Sequence, residues 1–430
     1  MYNWRMARFI IALIWLGAAI SIWLIWHAFG VRSWHLAAAL ATSYFSFWGI
    51  YFAASKLSRR KKSQRLLATT IMGLVLLMMF ELAALANIID YRQTLGRIAD
   101  PDRRPWSNPA NQLDDLLLHI HRPNQRHQGS VSGNFARHAK LPDAHRYPFD
   151  VQYDHRGFRN NEPFTAAEVI VIGDSFVEAA LVSFDATIST QLSKELSQSV
   201  CNLGQSGYGP QQELEVLKRF GVPLAPKTCV WVFFEGNDLS DAAEYKKRVA
   251  QWTDFMVQRD RFWNRSFTRN ALAAIPKLVT RPRPNEDLRK RVATVNGERA
   301  FFVHASRDPS KLEERGLGAC ETVFSAADKI CRENKIRLVI AFAPSKFRVY
   351  QPFCKFPNGS VSASWTLSDL PTRLERLVRS ISAKLEFVDL TAPLQTATKS
   401  GRQTYFADDT HWTPAGHRAA AKAIRDVIQR

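Results

Sequence analysis

Val169 to Ser175 reads VIVIGDS, an unbroken apolar run that stops at a glycine and is followed by an acid and a serine. A run this short, with no polar position on either face, forms a strand buried on both sides of a parallel sheet. The same alternation extends outward from it. A helical pattern at about Ile188 to Gln198 leads to the run Val200 to Leu203; a second, at about Gln211 to Phe220, leads to Thr228 to Phe234, TCVWVFF. A long basic segment, about Ser240 to Arg307, breaks the rhythm. It resumes with a helix from about Pro309 to Glu333, a strand at Arg337 to Phe342, a helix near Leu370 to Lys384, a strand at Glu386 to Leu390 and a last helix from Pro414. Five strands separated by helices predict an α/β fold with a doubly wound parallel sheet, because parallel neighbours need crossover connections. In such sheets ligands sit at the carboxyl ends of the strands.

The 430 residues hold 58 Lys and Arg against 39 Asp and Glu, a formal charge of +19. The position of that charge argues against nucleic acid as a partner. Nine basic residues oppose the single acid Glu81 before residue 90, and no basic run with interleaved aromatics follows. A hydrophobic share of 46%, with 20 Gly, 20 Pro and 5 Cys, excludes disordered, collagen-like and disulfide-scaffold classes.

Three apolar stretches open the chain. Phe9 to Gly30 carries no charge and has the ~20-residue length a helix needs to cross a bilayer. Leu36 to Ser55 follows, then the cluster Lys56, Arg59, Arg60, Lys61, Lys62 and Arg65, which belongs on the cytoplasmic side. Leu66 to Ile89 crosses back, its one ionisable residue, Glu81, lying near the outer interface or facing a neighbouring helix. The expectation is a three-helix anchor over residues 1–90 in the inner (cytoplasmic) membrane, with everything after Asp90 facing the periplasm or cell exterior. Residues 91–165, rich in Pro, Arg, His and Asn, read as a stalk and irregular cap. Residues 166–430 read as the catalytic domain, with an insertion at about 240–307. Cys201 and Cys229 read as buried thiols. Cys320 and Cys331 fall roughly 16 Å apart on one helix, too far to bridge each other, so Cys354 is free to pair with either.

The residues at the strand ends carry the chemistry. Ser175 stands at a strand-to-helix turn, where a serine is a nucleophile or an N-cap. Asn202 to Gly207 (NLGQSG) is a Gly-rich turn whose N–H groups can face an anion. Gly236, Asn237 and Asp238 follow the third strand, and Asp408, Asp409, Thr410 and His411 precede the last helix. Singly, each has an ordinary structural explanation. In this order, the blocks GDS, NxxxxG, GND and DxxH resemble the SGNH (GDSL-type) hydrolase superfamily, over roughly Val169 to Arg430. The resemblance implies a flavodoxin-like sheet, with Ser175 as nucleophile and His411 as general base. The oxyanion hole would be the backbone N–H groups of Ser175 and Gly207 and the side-chain amide of Asn237. Such roles suit these residues: a serine hydroxyl needs a neighbouring imidazole, and the imidazole needs a third group to fix its tautomer. No metal or cofactor is implied.

Two carboxylates compete for that third position. The three-residue spacing of the general superfamily implies Asp408; the two-residue spacing of the alginate O-acetyltransferase branch, which DTHW resembles, implies Asp409. The reading favours Asp408, with Asp409 the alternative. Pro344, Ser345, Lys346 and Tyr350 in PSKFRVY are similar to the same branch, although there DTHW precedes the serine block. Asp154 to Asn160 (DHRGFRN) is similar to a segment of membrane-anchored SGNH proteins that would bring Arg159 near the site; surface structure accounts for Arg159 equally well. The function expected is a membrane-anchored, extracytoplasmic serine esterase or O-acetyltransferase acting on acyl esters of an envelope polysaccharide, with a membrane partner delivering acyl groups if it transfers them. The alternatives are a lipid or small-ester esterase and a catalytically silent glycan-binding domain.

Overall fold

The computed structural model describes residues 33–99, 112–141, 144–259, 261–279, 285–304 and 310–430. They fall into two compact units, one from residues up to 101 together with 254–282, the other from 102–253 and 283–430.

The larger unit is organised by five parallel strands: β1 (Val169–Gly173), β2 (Val200–Gly204), β3 (Thr228–Phe234), β4 (Arg337–Ala343) and β5 (Glu386–Asp389). Their spatial order is β5-β4-β3-β1-β2, every neighbour parallel. The order reverses at β1, which opens a crevice at its carboxyl end. Along β1, Ile170 and Ile172 enter one core with Trp231, Phe233 and Phe324, while Val169 and Val171 enter the other with Val230, Val232 and Ile424. Side chains alternate between faces, so a strand without polar positions needs cover on both. Helices Lys311–Glu333 and Leu370–Ile381 cover the first face; Ile188–Leu196 and Pro414–Ile428 cover the second. Each aliphatic side chain buried in this way contributes about 1.5–3 kcal/mol.

All five cysteines are free thiols. Cys320 and Cys331 lie in the first core and Cys354 packs against the second, so the sheet separates them and the pairing left open by the sequence does not form.

The described residues of 91–165 form regular elements where a stalk and irregular cap were expected. Helix Tyr91–Ala99 belongs to the smaller unit. From Gln112 the chain joins the larger unit as two hairpins, Gln112–Asp114 with Leu118–Ile120 and Arg126–Ser132 with Arg146–Gln152, the second enclosing helix Asn134–Ala139. Val131, Tyr147, Phe149, Val151 and Tyr153 close a small core with Ala180 and Leu181. The expected insertion at about 240–307 also divides. Helix Asp238–Arg259 leaves the end of β3, and a hairpin, Val292–Val295 with Glu298–Phe301, returns to the second core through Ala293, Val295 and Ala300. The residues between, 254–282, belong to the smaller unit.

In that unit the expected span Phe9 to Gly30 lies outside the described residues. Helix Arg59–Leu85 is the one described helix long and apolar enough to cross a membrane. Helix Ser33–Ala54 covers most of the second expected stretch. The described residues therefore display one such helix rather than three. Glu81 faces a neighbouring helix: its carboxylate accepts the N–H groups of Thr268 (2.7 Å) and Phe267 (3.3 Å), at the start of helix Phe267–Val279. Those N–H groups have no intrahelical partner, and a negative charge there also suits the helix dipole. The ring of Phe267 packs between Phe80 (4.7 Å) and Tyr91 (5.2 Å).

Candidate active site

Ser175 opens the short helix Ser175–Glu178 directly after β1. Its neighbour Asp174 caps that helix, accepting the N–H of Phe176 (2.8 Å), which leaves the serine hydroxyl for another partner. That partner is His411, whose Nε2 lies 2.8 Å from Ser175 Oγ. Nδ1 of the same ring meets Asp409 Oδ1, which also accepts the backbone N–H of His411 (3.0 Å). Asp409 Oδ2 accepts the N–H of Asn134 (2.6 Å), and the carboxylate is fully buried. An ionised carboxylate only accepts, so Nδ1 carries the ring proton and Nε2 is left to accept the serine hydroxyl.

The favoured pairing of Asp408 with His411 is not made; Asp409 has that place. Asp408 turns the other way, its Oδ1 accepting the Tyr147 hydroxyl (2.5 Å) and its carbonyl accepting the N–H groups of Phe135 (3.1 Å) and Ala136 (3.3 Å). Burial and this bond push the Tyr147 hydroxyl well above its ordinary range. Gly133 permits the close approach, since a Cβ there would sit 2.3 Å from the Asp408 carbonyl oxygen. The loop is thus clamped from a segment far away in sequence, and that clamp decides which carboxylate reaches the imidazole.

Gly207 lies in the turn Gln205 to Tyr208, closed by the Tyr208 N–H on the Gln205 carbonyl (3.2 Å). Its φ of +84° is the value required at the third position of a type II turn, which glycine adopts without penalty. Asn237 follows β3, its amide donating to Asp241 (2.8 Å) and lying against Asp174. Burial raises the Asp174 carboxyl to about 6. Asn202 is structural: its amide donates to the Val177 carbonyl (2.8 Å) and its oxygen accepts the Gly204 N–H (2.9 Å), joining β2 to the serine helix.

Beside Ser175 and His411 is a cleft walled by Ala179, Leu181, Trp412 and His417. Arg159 is fully buried, not a surface residue. It donates to the carbonyls of Glu178 (3.1 Å), Ala179 and Val182 (2.6 Å), holding one wall of the cleft. Lys346 is buried under the Asp408–Asp409 loop, donating to the carbonyls of Phe406 (2.7 Å) and Ala407 (3.0 Å). Burial lowers its amine to about 7, against the attraction of Asp409 and Asp408. Tyr350 accepts the N–H of Tyr405 (2.8 Å) in the same loop. Asn134 and Tyr147 carry no distinguishing signal in the sequence; an asparagine after a glycine and a tyrosine on a short strand are ordinary.

Residues 301–430 match the family described as the SGNH hydrolase-like domain of the acetyltransferase AlgX. That stretch of the chain is thus similar to an SGNH hydrolase-like domain. Two similar curated proteins carry the name probable alginate O-acetylase AlgJ. That of Pseudomonas fluorescens is 29% identical over 121 residues, 28% of this chain and 29% of the relative. That of Pseudomonas putida is 33% identical over 99 residues, 23% of this chain and 24% of the relative. The chain thus spans less than a third of the length of these relatives. Among solved structures, a GDSL-like lipase from Bacteroides thetaiotaomicron is 14% identical, over 61% of this chain and 87% of that one, with a TM-score of 0.29. An acetyl xylan esterase from Butyrivibrio proteoclasticus is 12% identical, over 67% and 70%, with a TM-score of 0.31.

Proposed function

We propose that Ser175, His411 and Asp409 form the catalytic triad of an envelope-facing SGNH enzyme that moves acetyl groups onto or off a polysaccharide. The observation that carries this reading is the continuous hydrogen-bond chain from Ser175 Oγ through both nitrogens of His411 to the buried Asp409. In the reaction, His411 Nε2 takes the hydroxyl proton as Oγ attacks the ester carbonyl. The backbone N–H groups of Ser175 and Gly207 and the amide of Asn237 receive the developing oxyanion. His411 then gives the proton to the departing alcohol. Water or a sugar hydroxyl, deprotonated by the same imidazole, attacks the acyl-serine and frees Oγ.

The acetyl and polysaccharide parts of the reading are supported by the names of the AlgX and AlgJ relatives and by the two-residue Asp409–His411 spacing. Helix Arg59–Leu85, with its basic start, supports a membrane anchor whose basic end stays inside. On that reading the SGNH domain faces the periplasm beside envelope glycans, and a membrane partner supplies the acyl donor when the acceptor is a sugar.

The test is to offer the full chain, in detergent or nanodiscs, an acetyl ester with and without an oligosaccharide, and to locate the acetyl group by mass spectrometry. Acetyl on the sugar marks a transferase, and release as acetate alone an esterase. Turnover that survives Ser175→Ala overturns the triad, and no turnover by the wild-type chain favours a silent glycan-binding domain.

A further inference from the structure

The Gly207 N–H, assigned above to the oxyanion, shares one planar peptide unit with the Ser206 carbonyl. In a trans peptide the two point in opposite directions, so whatever holds the carbonyl also aims the N–H. His119 holds it: Nε2 lies 3.1 Å from the Ser206 oxygen. A carbonyl only accepts, so Nε2 carries the proton. On the other side of the same residue, the Ser206 N–H donates to Glu178 Oε2 (2.5 Å). Glu178 is three residues beyond the nucleophile, on the same short helix. Both peptides flanking Ser206 are therefore gripped.

This matters because Ser206–Gly207 is the central peptide of its turn. Type I and type II turns differ chiefly in the facing of that peptide, and a flip would turn the Gly207 N–H to the opposite side. We propose that His119 is the positioning residue that fixes the facing of the Gly207 N–H, with Glu178 anchoring the turn to the nucleophile helix. The proposal rests on the oxyanion role given to Gly207 under Proposed function.

The two grips are themselves built in. The Tyr208 hydroxyl donates to the His119 carbonyl (2.5 Å), and the two rings pack edge to face at 5.3 Å. Burial lowers the His119 imidazole to about 4, with His121 adding to the effect, so at neutral pH it is uncharged and keeps one tautomer. Glu178 is fully buried; its Oε1 accepts the Tyr153 hydroxyl (2.6 Å) and lies 3.2 Å from His121 Nε2. Burial opposes its charge, but His121, the Ser206 bond and Tyr153 together hold the carboxyl down to about 2. His119, His121 and Tyr153 all lie in the 112–160 segment, outside the four sequence blocks.

The test measures acetyl-ester turnover by the full chain. His119→Phe keeps a ring against Tyr208 and loses the donor; His119→Gln loses the ring and restores an N–H close to where Nε2 stood. The expected result is a fall in kcat of at least about tenfold for Phe with KM unchanged, and a value within about threefold of wild type for Gln. The reverse order, Phe active and Gln impaired, would mean that the ring only packs and would overturn the proposal, as would full activity in both. Thermal melting checks folding. Should the Phe variant not fold, His119→Asn is compared with His119→Gln: alike in polarity, Asn falls one methylene short of the carbonyl and should lose the activity that Gln keeps, and equal activity would overturn the proposal. Ser175→Ala runs alongside. If it stays active, the triad reading fails; if it is dead while His119→Phe is fully active, only the positioning role fails.

Discussion

The loops at the carboxyl ends of the strands, with the 408–411 loop, hold every group placed in the proposed reaction. The 112–160 segment holds none of them, yet Asn134 reaches Asp409, Tyr147 reaches Asp408, His119 reaches Ser206 and Arg159 reaches the wall of the cleft. The strand loops supply reacting atoms close to the sheet; the earlier segment supplies their orientation from as far as 275 residues away in sequence. Composition of the reacting set and accuracy of its geometry are thus encoded in separate parts of the chain.

Substitutions in the two regions should therefore differ in kind. The largest effect is expected at the loop: Asp409→Asn keeps the size of the side chain but favours the wrong imidazole tautomer, and should cost about 10⁴ in kcat. Asp408→Asn should cost less than about tenfold, and equal losses in steady-state assays would erase the distinction drawn between the two acids. Next comes Arg159→Ala, which removes hydrogen bonds from a buried cation to the carbonyls of Asp150, Glu178, Ala179 and Val182. It should lower stability by roughly 3 kcal/mol or more in denaturant titration; an unchanged midpoint would show that the wall stands without it.

Asn134→Ala is a finer probe. The backbone N–H that serves Asp409 survives, while the side-chain bonds to the Thr410 N–H (3.0 Å) and hydroxyl (2.5 Å) are lost. About 1–2 kcal/mol of stability should go, with a fall in kcat of about tenfold or less; a loss as large as that of Asp409→Asn would make Asn134 more than a brace.

The smallest effect is a pH dependence where helix Pro210–Val216 meets the sheet. Glu213, bonded to Trp231 Nε1 (2.5 Å), is pushed well above the usual carboxylate range by burial, with Asp174 and Asp241 adding to it. The folded state then binds this proton more tightly than the unfolded chain, so its contribution is full below the unfolded value near 4.3 and declines as pH rises toward the folded one. Glu213→Gln, which does not titrate, should gain melting temperature relative to wild type between pH 5 and pH 8. A difference independent of pH would contradict the raised value.

The sheet was legible because burial on both faces favours unbroken apolar runs such as VIVIG and the VWVFF that ends at Phe234. Three of the four blocks were legible because each stands at a strand end; the fourth, Asp408 to His411, lies between helix Thr391–Lys399 and the last helix. The choice between Asp408 and Asp409 was not, since spacing alone does not say which side of a loop each carboxylate takes; the contact of Gly133 to Ala136 with the Asp408 carbonyl settles it, and no local pattern announces that contact. The 112–160 hairpins were hidden because most of their outward positions are polar and their apolar side chains close only a small core. Helix Phe267–Val279 has a local N-cap, Ser266, whose hydroxyl accepts the Arg269 N–H (3.2 Å); what the sequence hid was the contact of its first N–H groups with Glu81, 186 residues away.

That last contact bears on how the chain can be cut. The polypeptide passes from one unit to the other near residues 101, 253 and 282, so the larger unit is joined to the smaller by three covalent tethers rather than a single leash. A fragment begun at residue 102 would still carry helix Phe267–Val279, now without Glu81 on its first N–H groups and with the ring of Phe267 stripped of Phe80 and Tyr91. Such a fragment is prone to self-association, and a soluble, active form calls for removal of 254–282 as well, with a short polar bridge closing the gap.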